Sequence, residues 1–221
     1  MNATTIATRL HRVRDDLAAH ARACGRSIDG IDVLVVTKQQ STSAIIEAIA
    51  AGATQIGENY VQEARAKFAD LPPVRRHYIG HIQTNKAKAL VELFDCVQSV
   101  DRLDAITALD RAATAIGKRL SILLQVNISP SDRFGCAPAE VDALAEAVRA
   151  SASLQCDGMM AIGPTDPAAV PDAFALAAAC FARIGGRTLS LGMSGDWREA
   201  VAAGSTMIRL GTAIFGPRIA R

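Results

Sequence analysis

Apolar residues recur at spacings of three and four through residues 4–24, where Ile6, Leu10, Val13, Leu17, Ala21 and Cys24 line one side. That period predicts an amphipathic helix, stopped by Gly25. The pattern then changes: residues 31–37 form a short β-branched run that predicts a buried strand ending at Lys38, and 41–51 return to a helical pattern closed by Gly52. The alternation continues to the C-terminus. Further strands are predicted over 55–57, 76–80, 96–100, 121–127, 155–162, 188–193 and 206–210. Helices are predicted from Asn59, with Gln62 completing a capping-box-like start, and over 84–93. Others run from a cap at Asp101 to about Ile116, from Pro138 in a first turn to about Ala150, and over 171–184. The last follows an Asp196/Glu199 capping box and stops at Gly204.

Eight strands alternating with helices imply a parallel sheet, and the count of eight implies closure. The strand runs are apolar enough for a sheet covered on both faces. The expected fold is therefore an α/β protein of the (β/α)8 TIM-barrel type with an extra N-terminal helix; an open doubly wound sheet is the alternative. With no linker or low-complexity tract in view, residues 1–221 are expected to form a single domain, a length that suits one closed barrel.

Composition narrows the function classes. Half of the residues are hydrophobic, which supplies a large core, and the formal net charge is only +2 with Lys and Arg scattered, so no basic face for nucleic acid is expected. The five cysteines, Cys24, Cys96, Cys136, Cys156 and Cys180, form no CxxC pair and are odd in number. Free thiols and a cytoplasmic location are expected. No signal peptide and no bilayer-spanning stretch are expected either.

Barrel active sites lie where strands end and βα loops begin, which makes strand ends candidates. Lys38 ends the first strand, where partial desolvation can free its amine to attack an aldehyde; by itself it reads more readily as an ordinary solvated lysine. Phosphate groups in such barrels bind in the loops after strands seven and eight. Here those loops read Gly192-Met193-Ser194-Gly195-Asp196 and Gly211-Thr212-Ala213-Ile214-Phe215-Gly216, each offering glycine, a small hydroxyl and a helix start. Arg209 interrupts an otherwise apolar strand, so it needs either a buried partner or a ligand. Glu58 and Asn59 end the second strand beside that of Lys38, and either could reach the cavity, Asn59 also as a helix cap. His77 and His81 have no carboxylate at ligand spacing, so no metal site is expected.

Several segments taken together carry a family resemblance. They are Val35-Val36-Thr37-Lys38, Gly57-Glu58-Asn59-Tyr60-Val61-Gln62-Glu63, His77-Tyr78-Ile79-Gly80-His81-Ile82-Gln83-Thr84-Asn85-Lys86, Gln125-Val126-Asn127-Ile128, Gly158-Met159-Met160-Ala161-Ile162, Leu189-Ser190-Leu191-Gly192-Met193-Ser194 and the run from Gly204 to Gly216. From about Ile31 to Arg218 the chain resembles the pyridoxal phosphate homeostasis proteins, small relatives of alanine racemase. The resemblance implies an alanine-racemase-type N-terminal barrel holding pyridoxal 5′-phosphate as a Schiff base on Lys38. It further implies phosphate contacts from Ser194, Gly211 and Thr212, and Arg209 at the pyridine nitrogen. It implies a role in vitamin B6 homeostasis, buffering the cofactor or delivering it to apo-enzymes, with no established turnover. Where many relatives have a lysine shortly before glycine, this chain has Asp132-Arg133-Phe134-Gly135, and whether Arg133 replaces that lysine is open.

An always-charged arginine beside the ring nitrogen disfavours its protonation and weakens the electron sink that strong catalysis needs. The chain also ends at Arg221, directly after the eighth strand and its loop, with no room for the β-domain that completes alanine racemases. The expectation is a monomeric cofactor carrier rather than an enzyme. An amino-acid racemase or lyase dependent on pyridoxal phosphate is the first alternative, and a phosphosugar enzyme on the same barrel the second.

Overall fold

The chain, described by a computed structural model over residues 5–129 and 133–217, forms a closed barrel of eight parallel strands in sequence order. The strands are β1 (Asp32–Val36), β2 (Gln55–Glu58), β3 (Arg75–Tyr78), β4 (Cys96–Val100), β5 (Leu120–Val126), β6 (Leu154–Ala161), β7 (Thr188–Ser190) and β8 (Met207–Leu210). β8 pairs back onto β1, with Leu34 opposite Arg209, and this pairing closes the sheet. The expected barrel is thus observed, and the open sheet is excluded.

Helices cover the outside: α1 (Ile6–Ala23), α2 (Thr42–Ala50), α3 (Val61–Lys67), α4 (Ala87–Leu93), α5 (Leu103–Ala115), α6 (Val141–Arg149), α7 (Val170–Ile184), α8 (Trp197–Ala202) and α9 (Thr212–Phe215). Each buries a stripe set by its period. In α6 the stripe is Val141, Leu144, Ala145 and Val148, one residue per i, i+3, i+4, i+7 step. The main core lies between sheet and helices, where Phe94, Phe174, Leu90, Leu109 and Ile122 are fully buried. Each such side chain is worth about 1.5–3 kcal/mol in area removed from water.

Several expected helix starts are corrected. Asn59 does not open a helix: α3 starts at Val61 after an extended Tyr60 with no side-chain cap, so Gln62 completes no capping box. Asp101 is not a cap either, because it pairs with Arg102 and leaves α5 to begin at Leu103. Pro138 precedes the first turn of α6 by three residues. Residues 84–86 form a 3-10 turn before α4. Asp196 stands at the cap position of α8, but its Oδ1 accepts from the Met193 amide in the preceding loop at 2.6 Å. Local polar signals name a turn correctly and misplace its edge, because the closed sheet decides where each helix can begin. The helix expected over 41–51 is observed as α2, capped by Ser41, whose hydroxyl accepts from the Ala44 amide.

The expectation that no stretch is apolar enough to cross a bilayer also fails by composition. Residues 167–184 pass that test of length and apolarity. They include α7, an alanine-rich helix whose Val170, Phe174, Ala177 and Cys180 pack on the barrel core.

The extra helix α1 and the turn after it brace the last two βα units. Arg9 Nε donates to the Ile214 carbonyl at 2.6 Å, Arg26 to the Val201 carbonyl at 2.7 Å, and a His20 ring nitrogen lies 3.0 Å from the Arg198 carbonyl. The helices that follow β7 and β8 are thereby tied to the N-terminus. The five cysteines are all free thiols.

Candidate functional site

Strand register decides which residues face the barrel interior. Leu34 lies opposite Arg209, and Gly57 lies against Leu34, since a Cβ there would come 3.0 Å from Leu34 Cδ2. Side chains alternate along a strand. Val36 therefore shares the inward face with Leu34, and Lys38 follows two residues past the strand end, half-buried at the C-terminal mouth. Asn59 follows Gly57 in the same way, and its Oδ1 is buried without a hydrogen-bond partner among the described residues. Glu58, the other candidate on this strand, does not reach the mouth. Alternation turns it outward, fully buried, to accept from Thr37 Oγ1 at 2.9 Å and from Lys67 Nζ at 2.8 Å.

That outward cluster clamps the segment carrying Lys38. Lys67 also donates to the Thr37 carbonyl at 3.0 Å and to Glu63 at 2.7 Å, while Glu63 accepts from the Gln39 amide at 2.8 Å. The two peptides flanking Lys38 are thus held from α3, and Gln39 adopts the left-handed conformation with φ 62°, costly for a non-glycine residue. Burial pushes the Glu58 carboxyl up. Burial acts in the same direction on Glu63, but hydrogen bonds from Lys67 and the Gln39 amide outweigh it and hold that carboxyl low. Sequence reasoning missed Glu63 and Lys67. Their i, i+4 spacing was the available signal, but such pairs are usually solvated and worth little.

The loops after β7 and β8 come together at the same mouth. Ser194 and Thr212 are exposed, and their hydroxyls lie 3.1 Å apart. Gly211 lies against the β1 backbone, where a Cβ would meet the Val36 carbonyl at 3.4 Å. Gly192 has φ 88° and sits so close to α8 that a Cβ would fall 2.6 Å from that of Ala200; only glycine lets the Ser194 turn pack there. β7 ends at Ser190 rather than at the expected residue 193, and this leaves the loop long enough to reach Thr212.

Beneath these loops lies Arg209, 4% exposed. Among the described residues no carboxylate pairs with it, contrary to the ordinary reading of a buried arginine. Its NH1 donates to the Ser190 carbonyl at 2.6 Å and to Ser190 Oγ at 2.8 Å, and its NH2 to the Ala161 carbonyl at 2.8 Å. Burial lowers its pKa to about 10, with Asp196 acting weakly in the other direction, so the guanidinium is a cation at neutral pH. Six expected site residues, Lys38, Asn59, Ser194, Arg209, Gly211 and Thr212, therefore belong to strand ends and loops of one barrel end.

Arg133 lies beyond β5. It donates to the Gly163 carbonyl at 2.7 Å and to Thr165 Oγ1 at 2.6 Å, tying its loop to the one after β6. The neighbouring Phe134 stacks on His81 with ring centroids 3.9 Å apart. Asp132 lies outside the described residues.

The alanine racemase N-terminal domain family matches residues 13–218. The pyridoxal phosphate homeostasis protein of Escherichia coli K12 is 44% identical over 96% of this chain and 97% of its own length. The chain belongs to the pyridoxal phosphate homeostasis protein family. A solved structure of PipY from Synechococcus elongatus PCC7942 with pyridoxal phosphate bound is 37% identical, covers 96% of this chain and 100% of PipY, and superposes with a TM-score of 0.85. Clostridium difficile alanine racemase shares only 11% identity but gives a TM-score of 0.73 over 91% of this chain and 56% of the racemase, a likeness of fold. The barrel is thus a fold that this chain shares with part of a larger racemase.

Proposed function

We propose that this chain binds pyridoxal 5′-phosphate at the barrel mouth, as a Schiff base on Lys38, and serves vitamin B6 homeostasis by buffering or delivering the cofactor without strong catalysis. The observation that carries the reading is the meeting, at one barrel end, of the clamped Lys38 segment, the Ser194–Thr212 hydroxyl pair and the buried Arg209 cation. These residues fit the group. The half-buried Lys38 amine suits its aldehyde, the two hydroxyls with the Gly211 loop suit its phosphate, and Arg209 suits its ring nitrogen. The orphaned Asn59 Oδ1 is an acceptor awaiting a donor from whatever fills the mouth. The bound cofactor of a family member 37% identical supports the same assignment.

Pyridoxal phosphate, when bound, supplies an aldehyde and an electron-withdrawing ring. Arg209 limits the second property. It is held by two carbonyls and a hydroxyl, none of which takes its charge, and as a donor-only cation it opposes a proton on a neighbouring ring nitrogen. The residues therefore hold the cofactor better than they activate it. The same reading makes apo-enzymes the recipients, the cytoplasm the compartment, a monomer the working form and residues 1–221 one cofactor-binding domain.

Borohydride reduction of the cofactor-loaded protein followed by peptide mapping tests the attachment. The label is expected on Lys38 alone and absent from Lys38→Ala; a label on another lysine refutes the assignment. An amino-acid racemase or lyase is the second reading, favoured by the shared alanine racemase fold. Steady-state assays on D- and L-amino acids separate the two, since robust turnover lost in Lys38→Ala refutes the carrier reading.

A further inference from the structure

At the opposite end of the barrel, among the first residues of the strands, a cavity of about 210 Å³ opens between Asp32, Gln55, Arg75, His77, Asp157 and Arg187. Its hydrogen-bond balance is set by a chain of side chains running down the barrel interior. Arginine has donors and no acceptor, so the Arg209–Ser190 bond has one direction: Ser190 Oγ accepts from Arg209 NH1. Ser190 Oγ then gives its proton to Gln98 Oε1 at 2.9 Å. Gln98 is left to offer its amide N–H to His77 Nδ1, also at 2.9 Å. Nδ1 is therefore an acceptor, and the neutral ring carries its proton on Nε2.

That Nε2–H is buried without a hydrogen-bond partner among the described residues, on a residue only 2% exposed. Burial, and then the Arg75 charge, push the His77 pKa down to about 3, so the ring is a neutral donor throughout the physiological range. Buried donors are seldom left unpaired in folded proteins. An unpaired imidazole on a residue lining a cavity calls for an acceptor inside it.

The other polar groups point the same way. Asp157 has three of its roughly four acceptor sites filled. Its Oδ1 accepts from Gln155 at 2.7 Å and from Arg187 at 3.2 Å, and its Oδ2 accepts from Ser121. Arg75 reaches this carboxylate only at 3.9 Å, and Arg187, three-quarters exposed, makes a single contact with it. Most of the donors on both guanidiniums thus remain available in the cavity that His77 also lines. Asp32 at the rim and Asp157 balance the two positive charges, which favours an anion of low charge over a polyphosphate.

We propose that the floor cavity is a second ligand site, separate from the barrel mouth, that takes a small oxyanion of the phosphate or carboxylate type, with His77 Nε2–H, Arg75 and Arg187 as its donors. The full-length protein is titrated with inorganic phosphate and, separately, with acetate at constant ionic strength, while ¹H–¹⁵N spectra of the imidazoles are followed. The expected result is a His77 ring protonated on Nε2 whose signal shifts saturably with at least one anion. The responding anion identifies the ligand type. The Arg75→Gln/Arg187→Gln double variant, folded by circular dichroism, is expected to lose that shift. If the double variant does not fold, Arg187→Gln alone, at an exposed side chain, is expected to weaken the anion several-fold. A ring protonated on Nδ1, no saturable shift with either anion, or a shift undiminished in the arginine variants overturns the proposal.

Discussion

The two ends of the barrel are made from the same eight strands and handle charge in opposite ways. At the floor, Asp157 is met by Arg187, Ser121 and Gln155 and more distantly by Arg75, so charge is neutralised within the protein. At the mouth, Arg209 is held by carbonyls and a hydroxyl that satisfy its hydrogen bonds without cancelling its charge. A neutralised charge leaves a ligand to be held mainly by hydrogen bonds, whereas a solvated-in-place cation keeps its field for a ligand. The chain His77–Gln98–Ser190–Arg209 joins these regimes, and its polarity, set by the arginine, leaves an orphan donor at the floor.

The strongest way to break the contrast lies in the wall beside the mouth. Lys67→Met removes the cation between Glu58 and Glu63, of which Glu58 is fully buried, and is expected to cost about 3–5 kcal/mol in urea unfolding. It should also release the Gln39 amide clamp and slow the labelling of Lys38. Arg209→Met comes next. It leaves buried acceptors at Ser190 and Ala161 unpaired, a loss of about 1–3 kcal/mol in the same measurement, together with weaker cofactor retention.

The floor makes a pH prediction. The His77 pKa falls from 6.5 to about 3 on folding, so between those values the unfolded chain binds more protons than the folded one. Stability is therefore fully present above pH 6.5 and lost as the pH falls toward 3, with a slope from this group of up to about 1.4 kcal/mol per pH unit. His77→Asn should flatten that slope in unfolding midpoints measured across the window. The smallest effects belong to the phosphate loops. Ser194→Ala and Thr212→Ala are each expected to remove one charged hydrogen bond, about 1.5 kcal/mol or roughly tenfold in cofactor affinity, without preventing attachment to Lys38. Unchanged affinity in both variants would move the phosphate site elsewhere.

Much of this architecture was legible in the linear pattern. The eight apolar runs, the helical stripes between them and the two glycine–hydroxyl loops required only period and composition, because burial of one face imposes those periods on any sequence. Lys38, Ser194, Arg209, Gly211 and Thr212 were legible as strand-end residues for the same reason. The edges were less so: Asn59, Asp101 and Pro138 carry the chemistry of helix starts, yet the closed sheet displaced each start.

Three matters were decided only in three dimensions. Glu58 and Asn59 are adjacent in sequence and equally polar, and the side-chain alternation of β2, given its register with β1, sends one to the outer wall and leaves the other at the mouth. The i, i+4 spacing of Glu63 and Lys67 is that of an ordinary surface pair, and only the fold buries the lysine against Thr37. The partner of Arg209 could not be read at all, because Ser190 and Ala161 are 19 and 48 residues away and only barrel closure brings them within hydrogen-bonding distance. The sequence by itself determined which residues could be buried and where the chain could turn. Tertiary structure alone decided which buried polar groups meet, since that depends on strand register and closure, which no local pattern encodes.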